Sequence, residues 1–291
     1  MRWTAESLLG RLAPRREPRT LHGLMQAVRS FADAPRSWEP GKETVLVLAP
    51  HMDDEVIGCG GTIARHTDAG SEVTVVYLTD GRSGHPDVYR FKGAQRAQAQ
   101  RRLIARRKEE ARLAQEILGV RELRFMDAID TRLAADASTV SKLREILEAF
   151  APMRVYLPHF LEQHGDHRIA SKLLLEAVKG TRLDFHCHGY EVWTPLVPNM
   201  TVCIDSTMAR KQRAMDQYRS QLEDRVDPMH AMTGLAAFRS RTRTRPGERF
   251  VESFCALTLA DYREAHAEFV GPSRSFRPGR ANAAEPDCIQ V

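Results

Sequence analysis

The sequence predicts an α/β fold, a mostly parallel sheet with helices on both faces. Three observations predict it. Short apolar, β-branched runs alternate with longer stretches of helical periodicity. Glycines stand where helices should end, at Gly70 and Gly119. Charged residues gather directly after two of the apolar runs, where open α/β sheets place their ligands.

Taken along the chain, residues 1–42 read as an N-terminal extension. Its two short helical patterns, about 5–12 and 20–33, are broken by Pro14, Pro18 and Pro35, and Pro40-Gly41 closes it. A main domain follows over 43–270. Strands are expected at 44–49, 73–78, 122–126, 154–158, 185–193 and 200–204. Between and after them, helices are expected at 55–69, 94–118, 138–150, 167–179 and 206–222. Ser138 and either Asp205 or Ser206 are the expected N-caps. The stretch 223–249 carries Arg239, Arg241, Arg243 and Arg245 in alternation and reads as a loop that covers the pocket or stays solvated. The Pro-, Arg-, Ala- and Ser-rich tail, 271–291, is expected to be disordered.

Composition narrows the function classes. The chain has 291 residues, 42% of them hydrophobic, a net charge of +5 and five scattered cysteines. With no CxxC pair, a disulfide framework and a thiolate zinc site are both disfavoured. No apolar run reaches membrane-spanning length and no secretory pattern opens the chain, so a cytoplasmic protein without a transmembrane segment is expected. The basic block from Arg96 to Lys108 interleaves with Ala, Gln and Leu and contains no aromatic residue on which bases would stack. It reads as the polar face of a helix, and no nucleic-acid partner is expected. A homo-oligomer built through the extension is left open.

Chemistry concentrates in two clusters. Pro50-His51-Met52-Asp53-Asp54-Glu55 follows the strand at 44–49, and His164-Gly165-Asp166-His167 follows the strand at 154–158. Alone, the first run reads equally as an acidic turn capping a helix. Beside the second, it supplies His51, Asp54 and His167 as three metal ligands without sulfur, the pattern of a catalytic zinc with an open water position. Zinc lowers the pKa of bound water to about 7, and Asp53 is the expected general base. His164, as an imidazolium paired with Asp166, would stabilise an oxyanion and protonate a leaving amine. Asp80, Arg82, His85 and Asp130 sit on loops at strand ends, and Asp80 and Arg82 are taken as substrate contacts. The Gly58, Gly60, Gly61 spacing is not a dinucleotide fingerprint, because it lies inside the helix after an acidic turn.

The runs Ala49-Pro50-His51-Met52-Asp53-Asp54-Glu55, Leu78-Thr79-Asp80-Gly81 and His164-Gly165-Asp166-His167 resemble the LmbE-like or PIG-L family of zinc-dependent N-deacetylases. Further matches are Arg107-Lys108-Glu109-Glu110-Ala111, Glu191-Val192-Trp193-Thr194-Pro195, Lys211 and Tyr218-Arg219-Ser220-Gln221, so the resemblance spans about 44–256. It implies a Rossmann-like fold and a hydrolase that removes an acetyl or short acyl group from an N-acylated amino sugar or glycoconjugate. The implied cofactor is Zn2+, with Fe2+ as the alternative metal. Ligands map to His51, Asp54 and His167, the base to Asp53, the assisting histidine to His164 with Asp166 orienting it, and a sugar-binding arginine to Arg107. Two positions depart from the family, which usually has proline at Met52 and commonly at Gly165. The alternatives are a zinc amidase or esterase acting on a non-sugar molecule, and a non-catalytic sugar- or glycolipid-binding module.

Overall fold

The computed structural model describes residues 34–223, 227–242 and 247–270. The helical patterns at 5–12 and 20–33, the tail 271–291, and Arg243 and Arg245 lie outside the described residues.

The chain enters as β1 (Arg36–Ser37) and β2 (Thr44–Ala49), followed by α1 (Asp54–Asp68), β3 (Glu72–Thr79) and the long α2 (Gly93–Leu118). Next come β4 (Glu122–Ala128), α3 (Ala137–Phe150), β5 (Arg154–Pro158), α4 (Gly165–Ala177), β6 (His186–Tyr190) and β7 (Met200–Cys203). The last part holds α5 (Met208–Met215), α6 (Arg219–Leu222), α7 (Pro228–Arg239), β8 (Val251–Thr258) and α8 (Leu259–Phe269). The sheet order is β1-β7-β8-β6-β5-β2-β3-β4. Every pair is parallel except the two that β8 makes, with β6 and with β7.

From β2 the chain winds outward through β3 and β4, then returns to β5 on the other side of β2 and continues to β6. The gap between the carboxyl ends of β2 and β5 is therefore a topological switch point, where such sheets bind ligands. Strand β2 is apolar throughout because both its faces are covered. Val45, Val47 and Ala49 join one core with Val56 and Ile63 of α1 and Ala111 and Ala114 of α2. Leu46 and Leu48 join the other with Leu143 and Leu147 of α3 and Leu173 and Leu174 of α4. Each such side chain, fully buried, stabilises the fold by roughly 1.5–3 kcal/mol.

Helix α1 is two short helices joined at a kink, where Cys59 has φ −146° and ψ 20°. The kink is satisfied from across the fold. Glu252 of β8 accepts from the backbone N–H groups of Gly61 (2.9 Å) and Thr62 (2.7 Å), so it caps the second half. Lys211 donates to the carbonyl of Ile57 (2.9 Å) and pairs with Glu252 at 2.6 Å. Glycine is required here by close approach: a Cβ at Gly58 would lie 2.1 Å from the Tyr190 ring, and one at Gly61 2.7 Å from Ile204.

Several boundaries differ from expectation. The helix expected at 206–222 is interrupted between Met215 and Arg219, because Tyr218 turns inward to Tyr77 (3.2 Å) and Ser220 to Glu110. Asp205 caps no helix; its carboxylate accepts from the N–H groups of Arg249 and Phe250 instead. The cap of α3 is Asp136, which accepts from Thr139 N–H at 2.9 Å, two residues before Ser138. The strand expected at 185–193 ends at Tyr190, because Glu191 turns to accept from Leu196 N–H (2.7 Å). The stretch 223–249 is not a bare loop but contains α7, capped by Asp227 and opened by Pro228. Strands β1 and β8 and helix α8 were not anticipated from the sequence.

Candidate metal centre and active site

The loop after β2 and the first turn of α1 carry His51, Asp53 and Asp54. The N-terminus of α4 carries His164, Asp166 and His167. The parallel pairing of β2 with β5 brings the two together. His51 Nδ1 lies 3.1 Å from Asp54 Oδ2, His167 Nε2 lies 3.1 Å from the same oxygen, and the two ring nitrogens are 3.2 Å apart. Three ligand atoms on one face of a tetrahedral zinc with bonds of about 2.0–2.1 Å would sit roughly 3.3–3.4 Å apart. The observed triangle matches that spacing closely.

The chemistry of the donor set points the same way. His51 Nε2 faces two carboxylates, Asp166 Oδ2 at 3.1 Å and Asp130 Oδ1 at 3.3 Å. With a metal on Nδ1, Nε2 would carry the ring's proton as a donor to them. His167 Nδ1 is buried without a hydrogen-bond partner, its nearest carboxylate oxygen being Glu162 Oε2 at 3.6 Å. Carboxylates behind both histidines are the arrangement that fixes metal-ligand imidazoles. Without a metal, the cluster balances its charge with protons. Burial opposes charge on His51, but Asp54, Asp130 and Asp166 outweigh it and raise its pKa well above the usual value. Burial likewise opposes His167, yet Asp54 and Glu162 lift it to about 9. Burial would raise Asp54, but the two histidines hold it far below the ordinary carboxylate range. Two further groups of atoms with ligand chemistry overlap this one, His51 with His164 and His167, and His51 with Asp130 and Asp166.

Asp53 stands beside this cluster in a strained backbone conformation, φ 141°. A non-glycine residue there costs on the order of 1–3 kcal/mol, sustained by its surroundings. Those surroundings are visible. Arg107 from α2 donates to the Met52 carbonyl (2.6 Å) and lies 3.4 Å from Asp53 Oδ1. Glu55 accepts from Asp53 N–H at 3.2 Å, and Asp54 accepts from His51 N–H at 2.8 Å. Glu55 is itself fully buried among Tyr77, Tyr218 and Gln115. Burial pushes the Asp53 carboxyl up to about 7, with Arg107 pulling it down and Asp54 pushing it up. A group near 7 is suited to taking and returning a proton at neutral pH.

The cleft over these residues has a volume of about 180 Å³ and is lined by His51, Asp53, Asp54, Arg107, Asp130 and His164, together with Ser83, Gly84, Trp193 and Gln221. Asp80 and Arg82 are not in it. Asp80 is buried and shapes its own loop, accepting from Arg82 N–H (3.1 Å) and Arg82 Nε (2.7 Å). Arg82 is held in that pair. Asp166 is also not where expected. Its carboxylate accepts from Thr131 N–H (2.8 Å) and Leu133 N–H (3.1 Å) and faces His51, so it orients His51 rather than His164. What reaches His164 is the Asp166 backbone N–H, which donates to Nδ1 at 3.2 Å. Burial, with His51 and His167 adding to it, lowers the pKa of His164, so the expected imidazolium is not supported in the metal-free chain. Arg107 lines the cleft but is only 2% exposed, engaged chiefly with the turn it braces. Glu162 was missed in the sequence. It lies in the loop after β5, and its closeness to His167 is a contact that spacing does not reveal.

An α/β sheet with a His–Asp–His cluster at its switch point is an arrangement that could hold a divalent metal. The chain belongs to the PIG-L (LmbE-like) family, whose pattern, described as GlcNAc-PI de-N-acetylase, matches residues 46–178. It is similar to the diacetylchitobiose deacetylase of Thermococcus kodakarensis, 32% identical over 198 residues, which are 62% of this chain and 71% of that protein. It is also similar to the 4-oxalmesaconate hydratase of Pseudomonas putida, 31% identical over 158 residues, which are 54% of this chain and 58% of that protein. Among solved structures, the N,N'-diacetylchitobiose deacetylase from Pyrococcus horikoshii superposes with a TM-score of 0.61 at 25% identity, covering 84% of this chain and 94% of that one. Among the described residues, no helix is long and apolar enough to cross a membrane.

Proposed function

We propose that this chain is a metal-dependent N-deacetylase that hydrolyses the acetamide of an N-acetylated amino sugar or its conjugate. The observation that carries the reading is the triangle of His51 Nδ1, Asp54 Oδ2 and His167 Nε2, with Asp53 standing beside it. Those three residues would hold a divalent ion, Zn2+ or Fe2+. When bound, the ion supplies Lewis acidity and makes water a nucleophile at neutral pH.

The chain's own groups then do the following. Asp53 takes the proton from water as its oxygen adds to the amide carbon. His164 accepts the Asp166 backbone N–H at Nδ1, so its remaining proton sits on Nε2. From His164, which lines the cleft, that N–H would donate to the oxyanion as it forms, a contribution worth about 3 kcal/mol in such sites. Asp53 returns its proton to the departing nitrogen as the C–N bond breaks. The products are acetate and a free amine. Arg107 and Glu55 keep Asp53 in its strained pose, and Asp166 and Asp130 keep His51 oriented. Membership of the PIG-L family and the similarity to a diacetylchitobiose deacetylase support an amino sugar as the substrate class.

The similar hydratase favours a second reading, in which the same cleft adds water to an unsaturated acid. One experiment separates them. Purified chain is assayed for bound divalent metal, for acetate release from N-acetylglucosamine, its disaccharide and its nucleotide sugar, and for loss of absorbance from an unsaturated dicarboxylate. Metal near one equivalent with acetate release is expected. Absence of metal, or water addition without acetate release, would sink the deacetylase reading.

A further inference from the structure

Gly58, Gly60 and Gly61 surround the kink of α1 at Cys59, and each leaves room for a side chain from elsewhere in the fold. Tyr190 approaches Gly58 and Ile204 approaches Gly61, while the Lys211 stem stands 3.3 Å from where a Cβ of residue 60 would lie. Through this opening Lys211 of α5 and Glu252 of β8 reach the backbone of α1 as an ion pair. In an unbroken α-helix the Gly61 N–H donates to the Ile57 carbonyl, four residues back. Here the Ile57 carbonyl accepts from Lys211 Nζ at 2.9 Å, and the Gly61 N–H donates to Glu252 at 2.9 Å. Lys211 and Glu252 meet at 2.6 Å, so the pair is spliced into the helix ladder where one backbone bond belongs. Glu252 also accepts from the N–H (2.7 Å) and the hydroxyl (2.6 Å) of Thr62. Thr207, just before α5, donates to the Gly61 carbonyl at 2.9 Å and fixes the far side of the kink.

Both charged side chains are buried, Lys211 at 1% exposure and Glu252 at 4%. A buried ion pair is a weak source of stability, because desolvating two charges offsets their attraction. Apolar residues of similar volume often serve a fold as well. What this pair fixes is direction. The turn of α1 before the kink carries three residues of the site. Asp54 offers the oxygen shared between His51 and His167. Glu55 accepts from the Asp53 N–H. Ile57 lines the cleft, and its carbonyl is the one that Lys211 holds.

We propose that Lys211 and Glu252 are positioning residues for the ligand set, holding the first turn of α1 at the angle that places Asp54 between the two histidines. Neither residue lines the cleft, so both act through α1. The inference rests on the metal-dependent deacetylase reading and adds the device that aims one ligand. A misplacement of about 1 Å is enough to cost on the order of 10²-fold in rate.

The test removes both charges together, in Lys211→Met/Glu252→Met, so that neither is left buried without its partner. The Gly61 N–H is then free to return to the Ile57 carbonyl. Three quantities are read: the melting temperature of the metal-free protein, Zn2+ affinity by chelator competition, and kcat for acetate release from the Zn2+-loaded protein. A melting temperature close to wild type is expected, with Zn2+ affinity lower by about 10- to 100-fold and kcat by on the order of 10²-fold. Gly60→Ala disturbs the same contact more gently, because its Cβ presses on the Lys211 stem while alanine favours the helix. It should keep or raise the melting temperature and still lower Zn2+ affinity severalfold, which a purely structural role would not do. If the double variant fails to fold or melts early, Gly60→Ala decides. Wild-type Zn2+ affinity and kcat in the deciding variant overturn the proposal and leave the deacetylase intact. If the wild type binds Zn2+ but releases no acetate, the deacetylase reading fails instead, and the Zn2+ affinities alone decide the proposal. A wild type that binds no Zn2+ overturns both.

Discussion

The loops that follow β2 and β5 bring one cluster together by opposite means. The β2 loop is short and strained: His51 and Asp54 are three residues apart, and Asp53 between them sits at φ 141°. Its braces, Arg107 and Glu55, press on the backbone of the turn. The β5 loop shows no such strain. His164 and His167 bracket the N-terminus of α4, and their supports reach sideways, Glu162 to the 192–194 backbone and Asp166 to the 131–133 backbone. One loop is organised to hold a reactive carboxylate in place. The other ties the ligand set to the rest of the pocket. On the proposed reading, the first loop would carry the proton chemistry and the second would orient the metal ligands.

The largest expected effect tests the first half of that assignment. Asp53→Asn should lower kcat about 10²- to 10⁴-fold while the chain keeps its metal, as read by acetate release and metal content together. A variant with near wild-type kcat would remove Asp53 from the chemistry and make its strain a purely structural matter. A smaller effect tests the other loop. Glu162→Gln should weaken metal binding about 10- to 100-fold in a chelator competition, because His167 loses the carboxylate behind it. Unchanged affinity would reduce Glu162 to a loop anchor.

Much of this comparison was legible in the sequence. The continuous apolar run of β2 declared a strand covered on both faces, and the two histidine–aspartate clusters after β2 and β5 pointed to residues that the sheet brings together. What was not legible depends on contacts across the fold. Strand β8 was hidden because Glu252 interrupts its apolar run, and that glutamate is there to cap the second half of α1. Helix α7 was hidden because Gly234 and two threonine or histidine positions blur its periodicity. Asp166 reaches His164 only through its backbone N–H, while its carboxylate turns to His51, a contact across 115 residues that spacing does not reveal. Asp80 and Arg82 stand at a strand end, as pocket residues do, yet satisfy each other.

The smallest effect sharpens the comparison from outside both loops. His66, near the end of α1, is buried against Ser71 and Tyr156 (3.2 and 3.0 Å), and burial holds its pKa down to about 4. The unfolded imidazole titrates near 6.5. As pH falls from 6.5 toward 4, the unfolded state takes up a proton that the folded state refuses, so stability is lost on acidification. His66→Gln lacks that loss. Its stability deficit relative to wild type should shrink by about 1–2 kcal/mol between pH 7 and 5 in metal-free protein, measured by thermal unfolding. A deficit constant with pH would show that His66 carries no acid sensitivity.

The backbone at Asp53 has a consequence for anyone who redesigns this fold. Glycine relaxes at φ 141° where aspartate does not, so Asp53→Gly is the substitution that a search for thermal robustness would choose early. Accepting it would yield a sturdier protein with an intact ligand triangle and no carboxylate beside it. A library ranked on melting temperature alone would therefore enrich for inert metal-binding proteins, and the residue that makes the chain least comfortable is the one such a ranking should hold fixed.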